Sequence, residues 1–278
     1  MELSISNIAW DVSEDVKIAA LLDENDVRLI DVAPTKYFPD LAQATEAQVL
    51  AVKHWWKDRG IEIYGMQSLL FGTNGLNMFA SSEVCERMLA HLAQVARVAS
   101  GLGVQRLVFG SPRNRDRRAL SDEACDARAV SFFRALGAVG ADHGVTFCLE
   151  PNPERYNSNF MTHSQDTARI VRLVDHPHIR MQLDTGAILI NAESPVNVLT
   201  LHGELIGHVH LSEPGLATLG SVGSDHSTIA AELAALRPDD VYAIEMLPTG
   251  EGSQVKAVSE AIRFATATYR QAAQQVVS

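Results

Sequence analysis

The segment TFCLEPNP, residues 146–153, is an apolar run that stops at Glu150 and is followed at once by a proline. Such a run predicts a strand that is buried on both faces, as strands of parallel sheets are. A carboxylate at the end of a buried strand is costly unless a partner or a bound ion offsets its charge. Glu150 is therefore expected to have a specific role at this strand end.

The next three predicted strands end in the same manner. RMQLD ends at Asp184, GHVH at His210 and YAIE at Glu245. Each of these residues follows the one before it by about one βα unit, which is roughly 30 residues. One such strand end is weak evidence, because a polar residue there also begins a loop or joins a surface pair. Four strand ends in register indicate a shared site.

Eight strand-like segments alternate with helical segments along the whole chain. They are ELSISNIAW, VRLIDVA, IEIYGMQ, QRLVFGS, VTFCLE, IRMQLD, IGHVH and VYAIE. This alternation, without a linker, predicts an α/β fold, a single (β/α)8 TIM barrel over residues 1–278. An open doubly wound sheet is the alternative, but it usually has a glycine-rich turn after its first strand, and SNIAWDVSED has none.

Two helix starts carry the pattern of a capping box, in which a hydroxyl residue precedes glutamine by three positions. They are Thr45 with Gln48, and Thr162 with Gln165.

Composition narrows the classes of function. The chain has 278 residues, 46% of them hydrophobic, and a net charge of −11, which argues against nucleic acid or an anionic membrane as partner. Its three cysteines, Cys85, Cys125 and Cys148, are far apart, and we expect reduced thiols in a cytoplasmic protein. No apolar run is long enough to predict a membrane span.

In a barrel the carboxyl ends of all strands meet at one face, where active sites lie. Glu150, Asp184, His210 and Glu245 would therefore converge there. Three carboxylates and one imidazole suit one divalent cation: Mn²⁺ first, with Mg²⁺, Co²⁺ or Zn²⁺ as alternatives.

At this point the chain resembles the sugar-phosphate isomerase/epimerase family of xylose-isomerase-like barrels. The stretches that carry the resemblance are MQSLLFG (66–72), LVFGSPRNR (107–115), CLEPNP (148–153), LDTGA (183–187), HVHLSEPG (208–215) and IEM (244–246). The resemblance implies that the four strand-end residues bind one metal ion. It also implies that Glu150 and Glu245 move a proton between neighbouring substrate carbons.

The chain departs from the ketose 3-epimerases of that family at two substrate-binding positions. Those enzymes have a histidine three residues after the aspartate and an arginine six residues after the metal-binding histidine. Here the two positions are Ala187 and Leu216.

Further substrate-binding candidates lie after predicted strands or beside the predicted site. Gln67 and the two arginines also fit a polar or solvated loop, and His208 is expected to be a core histidine deeper in the barrel. The candidates are Gln67, Asn152, Arg113, Arg115, His226 and Trp10.

The sequence favours a metal-dependent isomerase or epimerase that moves a proton next to the carbonyl of a sugar, sugar phosphate or related keto-compound. A lyase or dehydratase acting on a keto-cyclitol or keto-sugar is the alternative. An endonuclease IV-like hydrolase, which would need more metal ligands and a basic face, and a non-catalytic sugar-binding protein are disfavoured. The expected partner is a small sugar-like molecule, and homodimer formation is part of this interpretation.

Overall fold

Eight parallel strands close into a barrel in which each strand pairs with its neighbours in chain order. The computed structural model describes residues 1–248 and 253–277. The strands are β1 Glu2–Ser6, β2 Leu29–Val32, β3 Glu62–Met66, β4 Arg106–Phe109, β5 Thr146–Leu149, β6 Ile179–Asp184, β7 Ile206–Ser212 and β8 Val241–Glu245. The prediction of a (β/α)8 barrel is confirmed.

Helices connect successive strands and cover the outside of the barrel with their apolar faces. They are α1 Asp15–Glu24, α2 Glu46–Lys57, α3 Ser82–Leu102, α4 Asp122–His143, α5 Ser164–Val174, α6 Thr185–Ile190, α7 Pro195–His202, α8 His226–Leu236, α9 Gln254–Ala265 and α10 Gln271–Val277. A π-helical turn, Thr266–Arg270, joins the last two. None of the helices in residues 1–248 and 253–277 combines the length and the apolar character that crossing a membrane requires.

β6 and β8 have their predicted bounds, β2 to β5 are shorter by two or three residues in all, and β1 and β7 differ most in what they place at the strand end. β1 stops at Ser6, because the Ser6 hydroxyl accepts a hydrogen bond from the Ile8 amide and starts a short 3-10 helix. β7 continues to Ser212, which is in register with Glu245 of β8. His210 therefore lies two residues inside its strand instead of at the end.

One of the two predicted capping boxes is present. The Gln48 amide donates to the Thr45 hydroxyl, and the Thr45 amide donates to the Gln48 side chain. The prediction of a capping box at Thr162 and Gln165 was wrong, because α5 begins at Ser164. There the Ser164 amide at the start of α5 donates to the Glu193 carboxylate, 3.0 Å away, so a distant residue does the capping.

Candidate metal centre and active site

Four polar side chains meet at the carboxyl-terminal end of the barrel. Glu150, Asp184, His210 and Glu245 each present one ligand atom, and these atoms all lie within 4.8 Å of one another. We call these residues the quartet. All four are buried, with 0 to 9% of their surface exposed. Three carboxylates this close together and this far from water repel one another, so the arrangement suits a bound cation.

Glu150 follows β5 directly and is held from two sides. A side chain at Gly110 is excluded, because a Cβ atom there would lie 1.9 Å from Glu150 Oε2. The Asn152 amide donates to the same oxygen over 2.8 Å. Arg115, which is fully buried, donates to the Glu150 backbone oxygen over 2.7 Å and to the Asn152 side-chain oxygen over 2.5 Å. The backbone and the carboxylate of Glu150 are thus both fixed.

Asp184 ends β6 and caps the short helix α6. Its Oδ1 accepts a hydrogen bond of 2.6 Å from the Ala187 amide, and its Oδ2 accepts one of 2.7 Å from the Ser212 hydroxyl. Burial, together with the negative charges of Glu245 and Glu150, raises the pKa of Asp184 to about 7. Without a cation, Asp184 therefore holds its proton far more readily than an ordinary aspartate does.

His210 and Glu245 complete the quartet from β7 and β8. His210 Nδ1 lies 3.3 Å from Glu245 Oε2 and 3.7 Å from Glu150 Oε1. Burial alone would lower the pKa of His210, but the charges of Glu245 and Glu150 outweigh it and raise the pKa well above its usual value. Burial alone would raise the pKa of Glu245, yet His210 and the amide of Gln67 leave it below normal.

The surroundings of His210 show whether the quartet could hold a metal ion. Both ring nitrogens are buried, and neither has a hydrogen-bond partner among the described residues. A ring nitrogen without a hydrogen-bond partner is free to coordinate a cation. The two carboxylates that it faces, at 3.3 and 3.7 Å, supply the negative charge that a cation requires. The residues present therefore fit one divalent ion with oxygen and nitrogen ligands.

A cavity of about 640 Å³ opens beside the quartet. Glu150 and Glu245 line it, whereas Asp184 and His210 are not among its lining residues. Its other walls come from residues 67–74 after β3 and from residues 108–113 of β4 and the loop that follows. Of the six substrate-binding candidates, Gln67 and Arg113 line this cavity. Gln67 donates from Nε2 to Glu245 Oε1 over 2.5 Å, and Arg113 donates to the Thr73 backbone oxygen.

The other four candidates lie elsewhere. Trp10 is 1% exposed and donates from Nε1 to Asp15 over 2.7 Å, so it does not form a cavity wall. Arg115 and Asn152 hold Glu150 through hydrogen bonds and are not among the residues that line the cavity. Burial lowers the pKa of Arg115 to about 10, as expected for a guanidinium without water.

His226 is also a buried structural residue. It is 1% exposed and starts α8, with Nδ1 2.5 Å from the Tyr269 hydroxyl and Nε2 3.2 Å from Glu213 Oε1. Glu213 is itself fully buried and accepts hydrogen bonds from the Gly220 amide and the Ser224 hydroxyl. In this structure His226 therefore lies among Tyr269 and Glu213, and it is not one of the residues that line the cavity beside the quartet.

Some contributing residues carried little signal in the sequence. Ser212 shares a face with His210 two residues earlier, and strand alternation could have indicated its contact with Asp184. His208 is a core histidine, as predicted, with Nε2 2.6 Å from Asp31 Oδ2. Its partner comes from β2, far away in the chain, and periodicity alone does not reveal such a pair.

Comparison with known proteins gives one family and several relatives. A family model described as xylose isomerase-like TIM barrel matches residues 19–267. D-psicose 3-epimerase of Ruminiclostridium cellulolyticum is 30% identical over 86 residues, which are 31% of this chain and 29% of that protein. The matched stretch thus spans less than a third of either protein.

Two solved structures illustrate the likeness in fold. An L-ribulose 3-epimerase superposes with a TM-score of 0.80 at 16% identity, covering 100% of this chain and 97% of that chain. A 3-keto-D-glucoside 4-epimerase from E. coli superposes with a TM-score of 0.78 at 16% identity, covering 96% and 98%. At these identities the likeness shows the fold.

Proposed function

Since the chain belongs to the xylose isomerase-like TIM-barrel family, we propose that it is a metal-dependent sugar epimerase or isomerase. The observation that carries the proposal is the division of the quartet: of its four residues, only the two glutamates line the cavity. Two carboxylates that reach one substrate from different strands are what proton transfer next to a carbonyl requires.

The proposed mechanism assigns separate tasks to the residues. Glu150, from the end of β5, and Glu245, from the end of β8, exchange a proton with the carbon next to the substrate carbonyl, one as base and the other as acid. Gln67 and Asn152 each hold one oxygen of a glutamate through an amide hydrogen bond. Asp184 and His210 serve as ligands. A divalent cation held by the quartet, with Mn²⁺ favoured by its oxygen-rich donor set, would polarise the carbonyl and stabilise an enediolate.

We place the substrate among keto-sugars and related keto-compounds. The named relatives act on psicose, ribulose and 3-keto-glucosides. The Ala187 amide donates to Asp184, which caps α6, and Ala187 brings no polar side chain, so recognition of hydroxyl groups falls to the cavity walls. Besides the two glutamates, the polar side chains there are those of Gln67, Ser68, Thr73, Asn74, Ser111 and Arg113. The three cysteines are free, which supports a reducing cytoplasm as the compartment.

Proton exchange from deuterated solvent tests the proposal. The protein is incubated with D-psicose, D-tagatose, L-ribulose and a 3-keto-glucoside, each with Mn²⁺ and with a chelator, and deuterium is located by NMR. We expect deuterium on a carbon next to the carbonyl of at least one compound, together with its epimer or isomer, only when the metal is present. Loss of water from the substrate would instead indicate a lyase, and absence of exchange throughout the panel would contradict the proposal.

A further inference from the structure

A second cavity lies at the opposite, amino-terminal end of the barrel. It has a volume of about 310 Å³, and its walls include the first residues of β4, β5, β7 and β8. Three arginines line it: Arg106, Arg180 and Arg237. The buried pair of His208 and Asp31 stands between this cavity and His210 of the quartet, so the two cavities are separate sites.

Two of these three positive charges are not offset. Arg237 pairs with Asp240, with 2.6 Å between Nε and Oδ2, and also donates to two backbone oxygens. Arg180 donates to the Glu204 backbone oxygen and forms no ion pair with the described residues. The side chain of Arg106 makes neither a hydrogen bond nor an ion pair within residues 1–248 and 253–277, and its Nε is buried without a partner.

Arg106 and Arg180 line the same cavity from strands on either side of β5. Arg106 of β4 is in register with Thr146 of β5, and Arg180 of β6 is in register with Cys148, two residues further along β5. Gly207 makes room for Arg180, because a Cβ atom there would lie 2.8 Å from the Arg180 Cβ. In a chain of net charge −11, two half-buried arginines that pair with no carboxylate of the described residues give this cavity a positive charge that suits an anion.

The chemistry of the walls selects the class of ligand. Guanidinium groups match the oxygens of phosphate with paired hydrogen bonds, and two of them balance the charge of a phosphate dianion. Tyr64 also lines the cavity. Burial raises the pKa of Tyr64, so its hydroxyl keeps its proton and serves as a further donor. The volume lies at the lower end for small-molecule sites, which suits a phosphate group with little attached to it.

We propose that this amino-terminal cavity is an anion site that binds a phosphate group, either free or as a small phosphomonoester, between Arg106 and Arg180. Calorimetric titration of the metal-loaded protein with inorganic phosphate and, separately, with glycerol 3-phosphate tests it at matched ionic strength. We expect saturable binding of at least one of the two at one site per chain. Arg106→Gln and Arg180→Gln should each weaken it by at least about tenfold.

Arg113→Gln is the matched control, because Arg113 lines the cavity at the other end of the barrel. Binding should be unchanged in this variant, and loss of binding there with full binding by Arg106→Gln would overturn the proposal. Saturable binding of neither compound would overturn it as well. If the glutamine variants fail to fold, wild-type crystals soaked in phosphate decide: the anion must appear between Arg106 and Arg180, and a cavity without it contradicts the proposal.

Discussion

Each cavity-lining glutamate of the quartet has one oxygen tied to a neighbouring amide and the other turned toward His210. Gln67 holds Oε1 of Glu245, and Asn152 holds Oε2 of Glu150. Each amide thereby fixes the position of one carboxylate oxygen. The choice between first base and second acid depends on the face of the substrate that each glutamate meets.

Replacing either glutamate by glutamine should separate metal binding from catalysis. Glu150→Gln and Glu245→Gln keep size and one ligand oxygen but remove the base, so turnover should fall by roughly 10²–10⁴-fold while metal is retained. Glu154→Gln, at an exposed position in the same loop, is the control. A variant that still exchanges substrate protons with solvent but forms no product identifies the second-step acid. Normal turnover by both metal-loaded variants would show that the two-glutamate mechanism is wrong.

The affinity for metal should depend on pH through Asp184. In the metal-free protein its pKa is about 7, so below pH 7 a proton competes with the cation, and above pH 7 the carboxylate is free to bind it. We expect the apparent affinity for Mn²⁺ to fall steadily as pH is lowered from 8 to 5.5, with proton release on binding at the lower pH. An affinity that stays constant over this interval would contradict the raised pKa.

At the scale of elements, three buried side chains in contact with one another connect α8 and the π-helical turn to the loop after β7. Glu213 follows β7, His226 begins α8 and Tyr269 lies in the π-helical turn before α10. Burial lowers the pKa of His226, so the imidazole is neutral, with Nδ1 hydrogen-bonded to the Tyr269 hydroxyl and Nε2 3.2 Å from Glu213 Oε1. These contacts stabilise the position of the helices without reaching the cavity.

Removing the Tyr269 hydroxyl tests that structural role. Tyr269→Phe leaves a buried imidazole nitrogen without a partner and should lower the free energy of unfolding by about 1–3 kcal/mol in denaturant titrations. Tyr156→Phe breaks a bond to the exposed Gly215 amide and should change it by less than about 0.5 kcal/mol. KM should be unaffected by Tyr269→Phe. A large rise in KM with unaltered stability would instead show that His226 and its neighbours contribute to substrate binding.

At the scale of the whole molecule, the alternation of apolar strands and helices was sufficient to predict the barrel. The same pattern placed Glu150, Asp184, His210 and Glu245 on one face, because all parallel strands of a barrel present their carboxyl ends together. The structure brings these four residues into one cluster.

The sequence did not predict the direction in which side chains point in the loops that follow the strands. Arg113 and Arg115 are two residues apart, yet one lines the cavity and the other is fully buried under Glu150. Trp10 lies beyond a 3-10 turn that ends β1 early. Loop geometry and contacts between distant residues, such as the bond from Arg115 to the Glu150 backbone oxygen, decide these directions. Local periodicity contains no information about them.

Metal content measures the central claim most directly. Elemental analysis of the purified protein after loading with Mn²⁺ and removal of excess metal should give one ion per chain. His210→Ala and Asp184→Asn should each hold well below one, whereas His163→Ala, at an exposed position, should keep the full amount. If both quartet variants retain as much metal as the unaltered protein, the quartet is not the metal site.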